Sequence, residues 1–236
     1  MKIFRFLLVL AVVAAFSGCI KVDQTLTISE NGSGMLNLSY SMKEQTIQQM
    51  ESMSQMQGAQ SGSESKADEK PFDFDPESVK KELEKFKDQG ITVKSVTTES
   101  ANGWKTMNVK LAFDDLASLA KTDFFKENKL TLKKNAEGNY VFKQASKSAG
   151  AGAEMDDKKM DDAMIKQMAP MFAGMKISHS IQVPGKILSS NATKTEGNTA
   201  SWVFDVDKDP SVLAKIKDMN MEIVFEGADV ELPDMN

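Results

Sequence analysis

The sequence predicts an α+β protein built mainly on antiparallel sheet with several helices. Segments of alternating apolar and polar residues recur along the chain, and most of them occur in pairs around short turns rich in Gly and Asn. Helical segments stand between these pairs rather than after every strand, which favours mixed elements over a strict βαβ alternation. The composition, 41% hydrophobic and 27% charged, is that of a globular chain.

The first elements are a hairpin and a helix. Residues 20–28 alternate as a strand, residues 30–34 form a turn rich in Gly and Asn, and residues 35–42 form the returning strand. A helix is predicted over 43–57. The Gly, Ser and Gln content of residues 58–70 is typical of a flexible loop.

The next helix has clear boundary residues. Asp75 is a good N-cap, Pro76 suits the first helical position, and Gly90 ends the helix after residue 89. A second hairpin follows over 91–98 and 104–113, with its turn at 101–103. Asp114 and Asp115 then cap a helix that extends to about Phe125.

The second half repeats this mixture of elements. The predicted order is a hairpin over 129–133 and 140–144, a flexible segment 146–153, a long helix 156–175, strands 177–183, 185–190 and 199–206, a helix capped by Asp209 and Pro210, and a strand 221–225. A shift of 94 residues places Gly103 on Gly197 and Leu119 on Leu213. We therefore predict a duplicated helix-strand-strand-helix-strand unit, with both copies in one sheet.

The N-terminus reads as an export signal. Lys2 and Arg5 precede an apolar stretch, residues 6–16, which is too short to span a bilayer as a helix. Removing residues 1–18 from the 236-residue chain leaves a single α+β envelope domain of 218 residues, 19–236. It carries 27 basic and 34 acidic residues, a net charge of about −7, which argues against a nucleic-acid partner.

The single cysteine follows the signal directly. Phe16-Ser17-Gly18-Cys19 resembles the lipobox of bacterial lipoproteins, in which the cysteine sulfur is acylated and becomes the new N-terminus. Two or three acyl chains of the palmitate type hold a protein stably at a membrane, whereas one does not. One cysteine also excludes an intrachain disulfide, a cysteine zinc site and an iron–sulfur cluster.

Lipoproteins commonly have a polar linker after the acylated cysteine, but here a predicted strand begins at Ile20. The folded body is therefore expected to lie against the headgroups. Ile20 stands where an inner-membrane retention signal would have aspartate. This predicts an outer-membrane position facing the periplasm in a Gram-negative cell, and the outer face of the plasma membrane in a Gram-positive one.

Two segments resemble the LppM-like bacterial lipoproteins. The first is 19–34, with Cys-Ile-Lys-Val-Asp and Asn-Gly-Ser-Gly, and the second is 181–202, with Ile-Gln-Val-Pro-Gly-Lys-Ile and Trp202. The resemblance implies an α+β lipoprotein domain at the cell envelope that binds a lipid or glycolipid. It supplies no catalytic residues.

The residues offer little for catalysis or metal binding. His179 is the only histidine and has no nucleophile motif of the Gly-x-Ser-x-Gly type to serve, so a packed or solvent-facing role is favoured. Asp205, Asp207 and Asp209 begin like a calcium loop, but Pro210 and Ile216 occupy the positions that require Gly and Glu. We predict no enzyme activity, no cofactor and no metal.

Methionine is the unusual component, with 16 residues. Eight of them recur at three- or four-residue spacing on two predicted helices, namely Met50, Met53, Met56, Met160, Met164, Met168, Met171 and Met175. Three roles are open for such stripes. They pack on a sheet, or they form an adaptable surface for acyl chains or a partner, or their thioethers bind Cu(I). The helical spacing argues against Cu(I), because it does not bring the thioethers to one point.

Two functions follow from the sequence. The first is a membrane-anchored lipoprotein that binds a lipid or glycolipid in an apolar groove lined by the sheet and the methionine helices. The alternative is a structural or assembly lipoprotein that docks an envelope protein through the same helices.

Overall fold

A computed structural model of the chain describes residues 20–61, 73–122, 125, 128–146, 172–217, 219–228, 230–232 and 235, with backbone alone at 53–61, 128, 146 and 217. The strands are β1 Ile20–Ile28, β2 Gly34–Lys43, β3 Ile91–Ala101, β4 Trp104–Phe113, β5 Asn128–Lys134, β6 Tyr140–Ser146, β7 Lys176–Gln182, β8 Ile187–Ser190, β9 Lys194–Glu196, β10 Thr199–Asp205 and β11 Asn220–Phe225. The α-helices are α1 Glu44–Ser61, α2 Pro76–Glu84, α3 Leu116–Ala120 and α4 Val212–Lys217.

These strands form two sheets. The larger has seven strands in the order β3-β4-β2-β1-β7-β10-β9, and the smaller has four in the order β5-β6-β11-β8. Every named pair is antiparallel except β1 with β7, which run parallel through the middle of the larger sheet. The predicted class, α+β with mainly antiparallel sheet, is confirmed.

Both sheets contribute to one apolar core. Leu26, Phe113 and Ile181 of the larger sheet and Phe142 and Phe225 of the smaller sheet are all at most 2% exposed and belong to the same cluster. Alternation along each strand produces this arrangement, because every second side chain points to the shared interior. Burial of this continuous apolar area is the main favourable contribution to folding.

The predicted turns and caps form as their residue types require. Asn102 and Gly103 both have positive φ, 54° and 74°, as a two-residue hairpin turn of the primed type demands. The Asp75 carboxylate accepts a hydrogen bond from the Glu77 amide at 3.2 Å, and Asp115 accepts one from the Ser118 amide at 2.6 Å.

Several predicted boundaries were wrong. Helix α2 ends at Glu84 rather than residue 89, because bonds of the i to i+3 type tighten the chain and bring Phe86 onto the core before Gly90 reverses direction. Helix α3 ends at Ala120 rather than Phe125, because the next amides form tighter bonds over three residues, from Lys121 to Ser118 and from Thr122 to Leu119. Helix α1 continues to Ser61, into the segment predicted as a loop, and the rest of that loop, 62–70, lies outside the described residues.

The two predicted units share an element order but not one sheet. In the first, hairpin β3–β4 joins the larger sheet and β5 follows α3 into the smaller one. In the second, β7 and β10 pair in the larger sheet and β11 follows α4 into the smaller one. The prediction of one common sheet is therefore wrong, because each unit divides its strands to cover the core from both sides. A short strand absent from the prediction, β9, extends the larger sheet beside β10.

The long helix predicted over 156–175 lies outside the described residues except at its end. Phe172, Ala173 and Gly174 form a turn there, and Gly174 has a φ of 83°. Predicted segment 146–153 also falls outside the description beyond Ser146.

Candidate functional site

Strand β1 is central in the larger sheet and begins at Ile20, one residue after Cys19. Cys19 itself lies outside the described residues. We call the end of the sheet that holds Ile20 the Ile20 end, and the opposite end the Ile28 end. By strand register, Lys43, Trp104 and Lys176 also lie at the Ile20 end.

The inner face of the Ile20 end is incompletely covered along β1, β7 and β10, whereas Met42 of β2 and Met107 of β4 are buried there. Strand register places four apolar side chains side by side on neighbouring strands, and all four are half-buried: Phe204, Ile177, Val22 and Tyr40. We call them the half-buried row. Four residues further along the same strands, the inner face is closed, with Leu26, Leu36, Ile181 and Ala200 at most 2% exposed.

Two of the predicted methionines lie near this row. Met50 of α1 packs with Ile47 against the main core, and Met175 packs with Phe204 in a smaller cluster around Val206. Met53 and Met56 lie on α1 where the backbone alone is described. Met160, Met164, Met168 and Met171 lie outside the described residues. The structure therefore does not test whether the two stripes meet.

A buried polar pair lies between the half-buried row and the closed core. Gln24 of β1 and His179 of β7 are register partners on the inner face and are 2% and 7% exposed. Neither amide atom of Gln24 nor Nδ1 of His179 has a hydrogen-bond partner in the described chain. A buried polar group without a partner destabilises a fold by about 1–3 kcal/mol, so such groups concentrate where function requires them.

Burial controls the chemistry of His179. It lowers the pKa of the imidazole to about 4, and the nearby Asp23 carboxylate offsets only part of that effect. The imidazole is therefore neutral at pH 7. Trp202 is its neighbour on β10, and the indole Nε1 donates to the Asn191 carbonyl at 3.2 Å and to Asn191 Oδ1 at 3.1 Å. The expectation of a sheet-packed histidine agrees with this placement.

Tyr40 closes the other side of the row. Its hydroxyl donates to the Asp73 carbonyl oxygen, and its ring lies 5.1 Å from the Phe74 ring. Burial, followed by the Asp73 charge, raises the pKa of Tyr40 above its usual range, so the phenol keeps its proton. Thr98 Oγ1 donates to the Phe74 carbonyl at 2.9 Å, which holds the segment before α2 across this edge of the row.

The sequence analysis missed Gln24 as a site residue. Its signal was present, because Gln24 occupies the same alternating phase as Val22, Leu26 and Ile28 and so had to point inward. Gln144 has the same character in the smaller sheet, where it is 2% exposed and its Oε1 has no partner in the described chain. What the sequence could not indicate was that His179 would stand beside Gln24.

Among the described residues, no group of three or more His, Cys, Asp or Glu side chains is arranged to hold a metal ion. Within the same ranges, no helix is both long enough and apolar enough to cross a membrane.

Two of the solved structures to which this chain is similar differ in identity, coverage and TM-score. The folded domain of Mycobacterium tuberculosis LppM, determined by NMR, is 13% identical, with 89% of this chain and 91% of that chain covered and a TM-score of 0.43. The name of this neighbour is that of the family which residues 19–34 and 181–202 resemble. Yeast LTA4 hydrolase in complex with bestatin is 9% identical, with 88% of this chain but only 28% of that chain covered and a TM-score of 0.32. No known family and no curated protein matches the chain.

Proposed function

We propose that this protein is a membrane-anchored, non-enzymatic envelope lipoprotein that binds a lipid or glycolipid through an apolar groove at the Ile20 end. The half-buried row carries the proposal. Its side chains lie on central strands, where inner-face residues are ordinarily covered, yet they stay partly exposed beside the residue that follows Cys19. An apolar surface in that position suits the acyl chain of a lipid.

The buried polar pair, Gln24 and His179, supplies polar groups at the inner end of this groove. The Gln24 amide can donate and accept hydrogen bonds, and a neutral His179 can do the same through its two ring nitrogens. A hydroxyl or ester group placed there would gain hydrogen bonds with groups that lack them within the described chain. Pockets for small molecules commonly combine an apolar lining with a few polar groups of this kind.

The anchor follows from the sequence. Acylation of Cys19 would hold Ile20 at the lipid surface, because one peptide unit separates adjacent Cα atoms by about 3.8 Å. The expected location is the outer membrane facing the periplasm in a Gram-negative cell, or the outer face of the plasma membrane in a Gram-positive cell. Replacing Cys19 by serine should release the chain from the membrane fraction, and retention there would contradict lipid anchoring.

Lipid binding can be tested with the secreted Cys19→Ser chain. After incubation with extracted envelope lipids, mass spectrometry of the repurified protein should detect a retained lipid. The Val22→Asp variant should lose it, because a carboxylate in the half-buried row opposes an acyl chain. Thr25→Asp, an exposed position of the same strand, is the matched control. Absence of retained lipid above a control protein would count against the proposal.

Partner docking is the second candidate. Helix α1 spans 18 residues, and Met50 remains half-buried although it packs against the core, which leaves apolar surface beside Met53 and Met56 for an envelope protein. A photo-cross-linker at Gln57 should then capture one dominant partner in cells. A clean negative would remove this candidate.

The proposed absence of enzyme activity is supported by the surroundings of His179. Its inner-face register neighbours are Gln24 and Trp202, neither of which is a nucleophile or a carboxylate. A hydrolase activity that disappeared in His179→Ala would contradict it.

A further inference from the structure

We propose that Lys21, Lys43 and Trp104 form a contact patch for anionic lipid headgroups, which sets the orientation of the anchored body on the bilayer. We call these residues the Lys–Trp patch. The inference rests on the proposed lipid anchor at Cys19, and it adds a second membrane contact on the opposite face of the sheet from the half-buried row.

The patch is built by strand register. Lys43 pairs with Trp104 across β2 and β4, and Lys21 lies on β1 one residue before the inward-facing Val22, so it points outward. Both ammonium groups approach the same indole, with Nζ 4.1 Å from the ring centroid for Lys21 and 5.8 Å for Lys43. The ring orders two cations on one side of the sheet through cation–π attraction.

These cations have no carboxylate partner in the described chain. No ion pair there includes Lys21 or Lys43. Lys176, exposed on β7, is the register partner of Lys21 on one side and of Asp205 on the other, so its charge is offset within its own row and is not counted in the patch. Two like charges held beside one ring are repelled by each other, so an anion between or above them relieves that repulsion.

The acidic groups on the same face are partly engaged elsewhere. The Glu99 carboxylate accepts a hydrogen bond from Asn108 at 3.1 Å, and Asp205 lies 3.8 Å from the ammonium of Lys208. Asp23 is the remaining exposed carboxylate on the inner strands of this face, one register row away from Lys21 toward the Ile28 end. Glu44 follows Lys43 as the first residue of α1.

A lipid surface is the occupant that fits this position. Tryptophan favours the membrane–water interface, and lysines near anionic lipids are attracted to their phosphates. The mature chain has a net charge of about −7, so most of its surface is repelled by an anionic bilayer. A positive patch two residues from the acylated cysteine therefore selects one orientation among those that the anchor permits.

The test uses the mature lipidated protein in two kinds of vesicle, one of phosphatidylcholine alone and one of phosphatidylcholine with phosphatidylglycerol. Both contain lipids brominated near the headgroup, which quench the fluorescence of a tryptophan that lies at the vesicle surface. Trp202 is 4% exposed, so the difference between wild type and Trp104→Phe isolates the signal of Trp104. We expect Trp104 to be quenched in the anionic vesicles and the quenching to fall in Lys21→Gln/Lys43→Gln. Lys94→Gln/Lys129→Gln, which removes two exposed lysines from other strands, is the matched control and should behave as wild type.

A second readout is partitioning of the Cys19→Ser chain into anionic vesicles. It should fall about 25-fold in the double patch variant, with a factor of about five for each of the two lysines near the surface. Equal quenching in neutral vesicles, unchanged quenching in the patch variant, or an equal loss in the control would overturn the proposal. Flotation of the lipidated chain reports anchoring separately, so failure of the patch and failure of the anchor are distinguishable.

Discussion

The Ile20 and Ile28 ends of the larger sheet are made by the same strands but differ in how their inner faces are covered. At the Ile28 end, Leu26 and Ile181 are fully buried and pack against both sheets. At the Ile20 end, Val22 and Ile177, each four residues away on those strands, remain half-buried. On β1 and β7, burial of the inner face is therefore complete at the Ile28 end and partial at the Ile20 end, although Met42 and Met107 of β2 and β4 are buried at the Ile20 end as well.

The largest expected difference between the ends is in stability. Leu26→Ala should lower the free energy of unfolding by about 3 kcal/mol, because it leaves a cavity in a closed core. Val22→Ala should lower it by less than about 1 kcal/mol, since a half-buried side chain loses little burial. Urea denaturation measures the free energy of unfolding of both variants. Equal losses would contradict the difference in burial between the two ends.

Acid should destabilise the fold through His179 of the buried polar pair. The folded state holds the pKa of His179 at about 4, whereas the unfolded chain binds its proton near 6.5. Below pH 6.5 the unfolded state therefore binds more protons, so stability falls as the pH falls and levels off below about 4. The resulting loss in the free energy of unfolding is about 3 kcal/mol. Urea denaturation between pH 7 and 4 should show a smaller decline in His179→Gln, and identical declines would exclude His179 as the cause.

Two glycines, one at each end of the larger sheet, should differ in how much a methyl group destabilises the fold. A Cβ at Gly34, at the Ile28 end, would overlap the Thr27 carbonyl oxygen and the Phe113 ring, so Gly34→Ala should destabilise by about 2 kcal/mol. Gly103, in the turn at the Ile20 end, has open space around it and a φ of 74°, so Gly103→Ala should destabilise by only about 1 kcal/mol. Thermal unfolding of both variants provides the measurement, and the reverse order would be inconsistent with a tightly closed Ile28 end.

The smallest effect on stability is expected for Gln24→Leu, which should change lipid binding without lowering the free energy of unfolding. Gln24→Leu removes two buried polar atoms that lack partners in the described chain, so it should leave the free energy of unfolding unchanged or raise it by about 1 kcal/mol. The same variant should retain less lipid in the co-purification assay. A clear loss of stability would instead assign Gln24 a structural role.

Local signals predicted most of the elements. The Asn102-Gly103 turn and the Asp75 cap depend on residues adjacent in sequence, so their prediction needed no tertiary information. The ends of α2 and α3 were wrong because Phe86 and Phe125 reach the core through tighter turns that helix propensity does not anticipate. Predicted roles of the methionines beyond Met50 and Met175 stay untested.

Local sequence patterns specify the strand alternation, the hairpins and the strand that begins at Ile20, because each depends on neighbouring residues. The signal and lipobox around Cys19 stay predictions from the same kind of pattern. Only the tertiary structure decided that β1 pairs in parallel with β7, more than 150 residues later, and that the strands divide into two sheets. That pairing places Gln24 beside His179 and leaves the half-buried row at the Ile20 end. The physical reason is that strand partners are selected by burial of the whole core, which local sequence patterns do not encode.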